Sequence, residues 1–183
     1  MCSNDINDPL LYMLVMPYFP YNSIRKIKWN SYIPLLKSCI KQAICSLTVA
    51  YINYGFLHGD IHLGNILVKE TNKKFINYGE FQVETNGLEI VIMDFEYSFI
   101  IKTNKNSTIN IFFKDILRVI QDIGDSLNIY FDQTNNIINY IRSKSNDNNS
   151  KVTDIFFILP VIDKMTIIDS KAKIPLVYNP NVY

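Results

Sequence analysis

The side chains best suited to chemistry lie in two short segments of the chain. His58, Asp60 and Asn65 occupy a polar loop between apolar flanks, and Asp94 directly ends the apolar run from Ile90 to Met93. An Asp, an Asn five residues later and a further Asp at the end of a buried strand form the set that phosphoryl transfer from Mg-ATP requires. One carboxylate receives the hydroxyl proton, while an amide oxygen and a second carboxylate hold the metal against the phosphates. The spacing therefore predicts a kinase-type phosphotransferase.

The elements before and after the loop would position these residues. Apolar residues recur at helical spacing from Ile33 to Tyr51, with Ser31 as a candidate N-cap, Pro34 in the first turn and Gly55 as a C-terminal stop. Residues 66–68 and 88–93 read as strands, and the polar segment 69–87 between them carries a Tyr-Gly and an Asn-Gly turn signal.

The second half of the chain is predicted to be mainly helical. A loop of about seventeen residues from Phe95 to Ile111 leads into a strongly apolar helix that ends near Gly124 and contains Asp115. A short helix is predicted over 134–141, a solvated linker over 143–150, and a buried segment interrupted by Pro160 over 155–162. An unpaired buried carboxylate is costly, so Asp115 is expected to be paired.

Composition excludes some classes of protein and narrows the setting. The 183 residues are 48% hydrophobic and 19% charged, which is typical of a globular chain, and the net charge of +1 gives no bulk attraction to nucleic acid or membranes. Cys2, Cys39 and Cys45 lack metal-ligand spacing, which favours reduced thiols and an intracellular protein of the cytoplasm or nucleus. Neither a signal peptide nor an uninterrupted membrane-spanning stretch is found.

The order of elements resembles the C-terminal lobe (C-lobe) of eukaryotic-type protein kinases, and most of all the haspin-type serine/threonine kinases. The resemblance rests on the His-x-Asp-x-His-x-Gly-Asn-Ile-Leu loop at 58–67, the long hairpin segment between Val68 and Leu88, and the absence of an Ala-Pro-Glu motif before the apolar helix. Lys114 to Arg118 is also similar to that family's Phe-Asp-Ile-Tyr-Arg. The resemblance to these kinases implies a single α+β domain over 1–183, mainly α-helical with short β-hairpins around the catalytic loop. Its parts would be a hinge strand at 10–18, the C-lobe at 19–165 and an irregular tail at 166–183.

The resemblance also implies a role for each residue of the site. Asp60 would be the catalytic base, Asn65 and Asp94 would bind Mg²⁺ and ATP, and Met16 on the hinge strand would also bind the nucleotide. His58 and Asp115 would be structural, with the histidine packing beneath the loop and the carboxylate bracing the loop backbone. The implied substrate is a protein serine or threonine hydroxyl.

Three departures from the kinase pattern qualify this interpretation. Gly59 replaces the arginine common before the catalytic Asp, so control through a phosphorylated activation loop loses its usual cation. Glu96 replaces the glycine of Asp-Phe-Gly, and its side chain is expected to fix the end of the strand. No glycine-rich phosphate loop, strand lysine or partner glutamate of an N-terminal lobe (N-lobe) is found in the sequence.

The missing motifs leave three functions open. The chain could be the C-lobe of a haspin-like protein kinase completed by an N-lobe-bearing partner chain. It could be a small-molecule kinase, because His-Gly-Asp-x-His-x-Gly-Asn is also similar to the loop of aminoglycoside and choline kinases. It could also be an inactive pseudokinase fragment that binds a partner through the apolar hinge strand.

Overall fold

The computed structural model describes residues 20–29, 31–79, 81–101, 108–147 and 149–168. The predicted hinge strand and Met16 lie outside these residues. The architecture belongs to the predicted α+β class, since helices pack against small antiparallel sheets. The helices are α1 Ile33–Tyr54, α2 Ile109–Leu127, α3 Thr134–Ser145 and α4 Leu159–Lys164. The strands are β1 Asn22–Ser23, β2 Phe56–Leu57, β3 Ile66–Glu70, β4 Phe75–Tyr78, β5 Phe81–Glu84, β6 Leu88–Ile92 and β7 Phe99–Ile100.

Helix α1 is the central element of the core, as its periodicity predicts. Pro34 lies in its first turn, where a missing N–H costs nothing, and Gly55 ends it in the left-handed conformation at φ +67°. The predicted cap is wrong, because Tyr32 rather than Ser31 is the N-cap and no side chain caps the helix. The apolar stripe of α1 is buried against α2, α4 and the strands.

By length and composition α1 could also cross a bilayer, although the sequence contains no uninterrupted apolar stretch of that length. In the fold, 61% of its most apolar window is buried inside the protein, as expected of a central core helix. Its apolar character is therefore accounted for by packing within the domain.

Strands β3 and β6 pair antiparallel, with Ile66 opposite Ile92 and Glu70 opposite Leu88. Strand β1 adds to the other edge of β3. The predicted turn-rich segment between β3 and β6 forms a second hairpin, β4–β5, that turns at Gly79. The pairing matters for function because it brings the ends of two distant sequence segments together at Ile66 and Ile92.

Helix α2 differs from its prediction in both length and character. It runs past Gly124 and ends one turn later at Asn128, which adopts the left-handed conformation that Asn tolerates better than most residues. Its apolar residues do not cover the whole helix surface, because it exposes a polar stripe of Asn110, Lys114 and Arg118 at helical spacing. The predicted loop before it also contains ordered structure, because β7 pairs with β2 and α2 begins at residue 109.

The C-terminal segments are more regular than their composition indicates. Helix α3 extends through Ser145 into the predicted linker, and Pro160 lies in the first turn of α4 rather than interrupting the buried segment 155–162. The start of the predicted irregular tail pairs with the segment before α3 through an Ile167–Phe131 bridge. The Ile168 amide donates to the Tyr130 carbonyl oxygen at 3.0 Å, so the described chain ends in an ordered contact.

Candidate active site

The loop predicted to carry chemistry, residues 58–65, follows α1 after a single glycine and the two residues of β2. Because α1 ends in the left-handed conformation at Gly55, the chain reverses sharply and enters β2 at the edge of the core. The Gly55 carbonyl oxygen accepts from the amide of Ile101 at 3.0 Å, next to the pairing of β2 with β7. The start of the loop is thus fixed to α1 on one side and to β7 on the other.

Backbone and side-chain hydrogen bonds bring Asp60, Asn65 and the segment of Asp94 together. The Asn65 side-chain Nδ2 donates to the Asp60 carbonyl oxygen at 3.1 Å, which closes the loop on itself. The Asn65 carbonyl oxygen accepts from the Met93 amide at 3.0 Å, and Asp94 follows immediately. Asn65 is buried, Asp60 is half-buried and Asp94 is exposed. The backbones of the three residues singled out in the sequence therefore lie close together.

His58 joins the loop to the residue that precedes Asp94. Its ring is fully buried, and Nε2 is 3.0 Å from the Met93 carbonyl oxygen, while Nδ1 accepts from the Asp60 amide at 3.4 Å. Since Nδ1 accepts from this amide, Nε2 is the ring nitrogen that donates to the Met93 carbonyl oxygen. The ring also packs against Phe56 and Phe95, with centroids 6.4 and 5.5 Å away. This contact geometry fits the structural role predicted for His58.

Asp115 on α2 forms hydrogen bonds with the start of the loop, as predicted for a paired buried carboxylate. Its Oδ2 accepts from the amides of His58 at 2.9 Å and Gly59 at 3.3 Å. Burial raises the pKa of Asp115, and the nearby Asp60 carboxylate adds to that rise. The two backbone hydrogen bonds and, separately, the electrostatic effect of the His58 ring oppose it. The loop backbone is thereby tied to a rigid helix.

The structure explains why glycine occupies the position before Asp60. Gly59 has φ +79°, and a Cβ at this position would stand 2.4 Å from the carbonyl oxygen of Tyr97. Arginine, or any other side chain, would have to displace that backbone. The Ser98 hydroxyl donates to the His58 carbonyl oxygen at 3.0 Å, so the segment after Asp94 lies directly over the loop.

Asp94 stands at the end of β6 in a backbone conformation that is unusual for a residue with a side chain. Its φ is +65°, in the left-handed region, where a non-glycine residue commonly marks a functional turn. Gln42 of α1 holds the strand that leads to it, since Nε2 donates to the Leu88 carbonyl oxygen at 2.9 Å and Oε1 accepts from the Ile90 amide at 3.1 Å. One buried amide side chain thus substitutes for a neighbouring strand along β6.

The prediction that Glu96 fixes the end of the strand is wrong. Glu96 is exposed in a turn, and no described residue forms a hydrogen bond or ion pair with its carboxylate. The turn is closed instead by the Ser98 amide donating to the Phe95 carbonyl oxygen at 3.0 Å, and the Phe95 ring packs on Phe56 at 5.9 Å. Backbone and aromatic contacts, rather than the carboxylate, hold this segment.

Two further residues support the loop, and neither was singled out in the sequence. Asp122 of α2 accepts from the Leu63 amide at 2.7 Å and pairs with Arg25 at 3.2 Å. Arg25 belongs to the short basic run Arg25 to Lys28, which reads in sequence as a solvated turn. The argument that identified Asp115, a carboxylate on an apolar helix face, applies equally to Asp122 one heptad later and would have found it.

The donor set of the site suits a magnesium ion together with phosphate oxygens. Asn65 Oδ1 makes no hydrogen bond to any described residue, and the Asp94 carboxylate is exposed, so both oxygens are available to a hard cation. Across the described ranges, no group of three or more His, Cys, Asp or Glu side chains comes together that could hold a metal unaided. Water molecules and phosphate oxygens of a nucleotide would complete the coordination of a magnesium ion here.

Comparison with known proteins gives one family and a set of partial relatives. The sequence profile of the ABC1 atypical kinase-like domain matches residues 11–125, more than half of the chain. The serine/threonine-protein kinase haspin of Mus musculus is 39% identical over 66 residues, which is 34% of this chain and 9% of that protein. The Bos taurus haspin is 36% identical over 72 residues, 37% of this chain and 9% of its own length. The Drosophila melanogaster haspin homolog is 36% identical over 63 residues, 32% of this chain and 11% of its own length.

The matches confirm the superfamily that the loop and its spacing indicate. The aligned part of the chain spans about a tenth of the length of these curated relatives, and no solved structure matches it. The profile and the relatives name different branches, ABC1-like and haspin, of the same kinase-like superfamily. By its profile match over 11–125, the chain belongs to the ABC1 atypical kinase-like domain family.

Proposed function

We propose that this chain contributes the catalytic loop and the metal-binding residues of an ATP-dependent kinase that phosphorylates serine or threonine hydroxyls of a protein. The observation that carries the proposal is the hydrogen-bonded unit of Asp60, Asn65 and Met93. These contacts join the backbone of Asp60 to Asn65 and the backbone of Asn65 to the residue before Asp94, which supports the assignment of all three to one site. Phosphoryl transfer depends on positioning and electrostatics, and the two carboxylates and the amide oxygen of these three residues are the groups it requires.

Asp60 is assigned the role of catalytic base. Its amide is tied to His58 and its carbonyl oxygen to Asn65, so its backbone is fixed from both sides. Its half-buried carboxylate makes no hydrogen bond to another described residue and is available to accept the proton of a hydroxyl. Nε2 of the nearby His58 ring is occupied by the Met93 carbonyl oxygen, so Asp60 rather than His58 is assigned the proton transfer.

Asn65 and Asp94 are assigned to Mg²⁺. The Asn65 side-chain oxygen and the Asp94 carboxylate would hold the ion, and a bound Mg²⁺ would supply positive charge against the charge that develops on the phosphates. The remaining phosphate and adenine contacts, including that of Met16, are assigned to residues outside the described ranges and to an N-lobe in this polypeptide or in a partner chain. The serine or threonine acceptor is supported by the haspin relatives, which are named as serine/threonine-protein kinases.

Calorimetric titration of the purified chain with ATP tests the metal assignment. We expect Mg²⁺ to strengthen ATP binding to the native protein and Asp94→Asn to remove most of that gain, at least about tenfold in Kd. Glu96→Gln is the matched control, because this carboxylate two residues away is exposed and makes no hydrogen bond or ion pair to a described residue. Equal effects of Mg²⁺ on the native protein and on Asp94→Asn would contradict the assignment.

Transfer of labelled γ-phosphate to protein substrates tests the reaction itself. Asp60→Asn should retain Mg-ATP binding and lose roughly 10²–10⁴-fold in transfer rate, the usual contribution of a general base. Where the N-lobe belongs to a partner chain, the assay contains both this chain and that N-lobe-bearing partner. Binding without any transfer would favour the pseudokinase, and transfer to small hydroxyl compounds alone would favour the small-molecule kinase.

A further inference from the structure

Two carboxylates on one helix hold the two ends of the catalytic loop. Asp115 accepts from the amides of His58 and Gly59, and Asp122 accepts from the amide of Leu63 at 2.7 Å. The two aspartates are seven residues apart, so they share a face of α2 and are separated by about 10 Å along its axis. The helix thus fixes the spacing between the start of the loop and the turn that carries its metal-binding amide.

The Asp122 carboxylate is held by several donors in addition to Leu63. The Ser126 hydroxyl donates to Oδ1 from one turn further along α2. Arg25 Nη2 lies 3.2 Å from Oδ2 and 3.5 Å from Oδ1. Burial raises the pKa of Asp122, but the hydrogen bonds from Ser126, Leu63 and Arg25 outweigh it and hold that pKa below its usual range. The group facing Leu63 is therefore a fixed anion at neutral pH.

The turn anchored by Asp122 is the 3₁₀ helix Leu63–Asn65. Its other two amides bond within the loop, since Gly64 donates to His62 Nδ1 at 3.0 Å and Asn65 donates to the His62 carbonyl oxygen at 2.9 Å. These local bonds move with the turn, whereas the bond to Asp122 ties it to α2. The Arg25 guanidinium also lies beside this turn, because its carbon is 3.5 Å from where a Cβ on Gly64 would stand.

We propose that Asp122, held by Arg25, is a positioning residue that sets where the side-chain oxygen of Asn65 stands. The Asp122–Leu63 bond ties this turn to α2, and it acts together with the buried Leu63 side chain and with the hydrogen bonds of Asn65 to Asp60 and Met93. Its consequence for metal binding rests on the proposed function, whereas its consequence for the Asn65 side chain does not. Arg25 and Asp122 are separated by 97 positions in the sequence, so the pair also fastens the segment before α1 to α2.

The experiment compares Asp122→Ala with Asp125→Ala in the ligand-free protein. Asp125 lies one turn away on the same helix and is exposed without a partner in the described chain, so its removal controls for loss of a helix carboxylate. Nuclear magnetic resonance reports amide exchange at Leu63 and the two side-chain amide protons of Asn65, assigned through their loss in Asn65→Asp. We expect exchange at Leu63 at least about tenfold faster in Asp122→Ala, and displaced Asn65 side-chain signals, with neither change in Asp125→Ala.

The functional readout is the gain in ATP affinity that Mg²⁺ provides. Asp122→Ala should lower this gain at least about fivefold while leaving ATP affinity without metal unchanged, which a uniform loss of stability would not do. If Asp122→Ala does not fold, Arg25→Ala replaces it and should show the same changes in weaker form, with Arg25→Lys restoring them in part.

Each result decides the inference. The inference is overturned if the Asn65 side-chain signals are unchanged in folded Asp122→Ala, or in Arg25→Ala when that variant replaces Asp122→Ala. It is also overturned if the signals are displaced while the gain in ATP affinity from Mg²⁺ is unchanged. If the native protein shows no magnesium-dependent ATP binding, the proposed function fails. In that case the Asn65 signals still support or refute the positioning role on their own.

Discussion

Replacing Gly59 by alanine tests whether the loop requires a bare backbone next to the segment that follows Asp94. Gly59 has φ +79°, and a Cβ there would stand 2.4 Å from the Tyr97 carbonyl oxygen and 3.2 Å from its carbon. Real Cβ atoms essentially never approach another heavy atom within 3.0 Å. The obstacle is backbone rather than a flexible side chain, so either the loop or the segment around Tyr97 must move.

The same substitution at Gly79 separates the two costs that Gly59→Ala combines. Gly79 has a similar φ of +71°, but it lies at the tip of the β4–β5 hairpin, and no described residue other than its chain neighbours has an atom within 4 Å of where its methyl group would stand. Gly79→Ala should therefore cost only the left-handed conformation, about 1–2 kcal/mol. Gly59→Ala adds an overpacking cost of about 1–3 kcal/mol, which gives about 2–5 kcal/mol in all.

Urea unfolding followed by tryptophan fluorescence measures both variants. Trp29 is the single tryptophan, is 2% exposed, and donates from Nε1 to the Ile24 carbonyl oxygen at 2.8 Å, so its emission reports opening of the core. The free energies of unfolding follow from linear extrapolation with a common slope. Variants destabilised equally, within about 0.5 kcal/mol, would show that contact with Tyr97 does not constrain the loop.

Three further outcomes follow from the same contacts. Asp115→Ala orphans the buried amide of His58 and should lower the free energy of unfolding by about 1–3 kcal/mol in urea titrations; a loss below about 0.5 kcal/mol would contradict the brace. Burial tends to raise the pKa of Asp122, but the hydrogen bonds to its carboxylate hold that pKa below its usual value. The contribution of Asp122 to folding stability is therefore complete above the unfolded-state pKa of about 3.9 and is lost as the pH falls through the lower folded-state pKa. The stability difference between the native protein and Asp122→Asn should therefore shrink below about pH 4, and a difference that grows there would reverse the sign of the argument. Burial raises the pKa of Cys39 and of Cys45 to about 12, so iodoacetamide at pH 8 should label neither in the native protein and both on unfolding, as mapped by mass spectrometry.

The parts of the fold that follow from local pattern could be predicted from the sequence. Helix α1 has a 3.6-residue apolar period, a proline at its start and a glycine at its end, and these fix its bounds to within two residues. Strands β3 and β6 are short apolar runs bounded by turn signals, and their pairing places Asn65 beside Met93. The candidate site could be predicted because its three residues lie at the ends of such elements.

The parts set by tertiary contact could not be predicted in the same way. Strand β7 has only two residues and both are exposed, so no periodicity marks it, and its pairing with β2 across more than forty positions creates it. The end of α2 was misplaced because Gly124 is a good local stop, yet it is buried, and packing against α3 carries the helix past it. The Ile167–Phe131 bridge likewise depends on where α3 and α4 bring the two segments.

The loop's departure from the common kinase pattern is connected to how it is held in place. An arginine before Asp60 would receive a phosphate from an activation loop, but the close approach of Tyr97 to Gly59 leaves no room for a side chain there. The loop is positioned instead by Asp115 and Asp122. Both carboxylates accept hydrogen bonds from amides of the loop, and neither needs a covalent modification to do so. A loop held in this way should be preformed, so we expect amide protection of residues 58–65 to be the same before and after any phosphorylation of the chain. Protection that appears only after phosphorylation would mean that the two carboxylates do not suffice to order the loop.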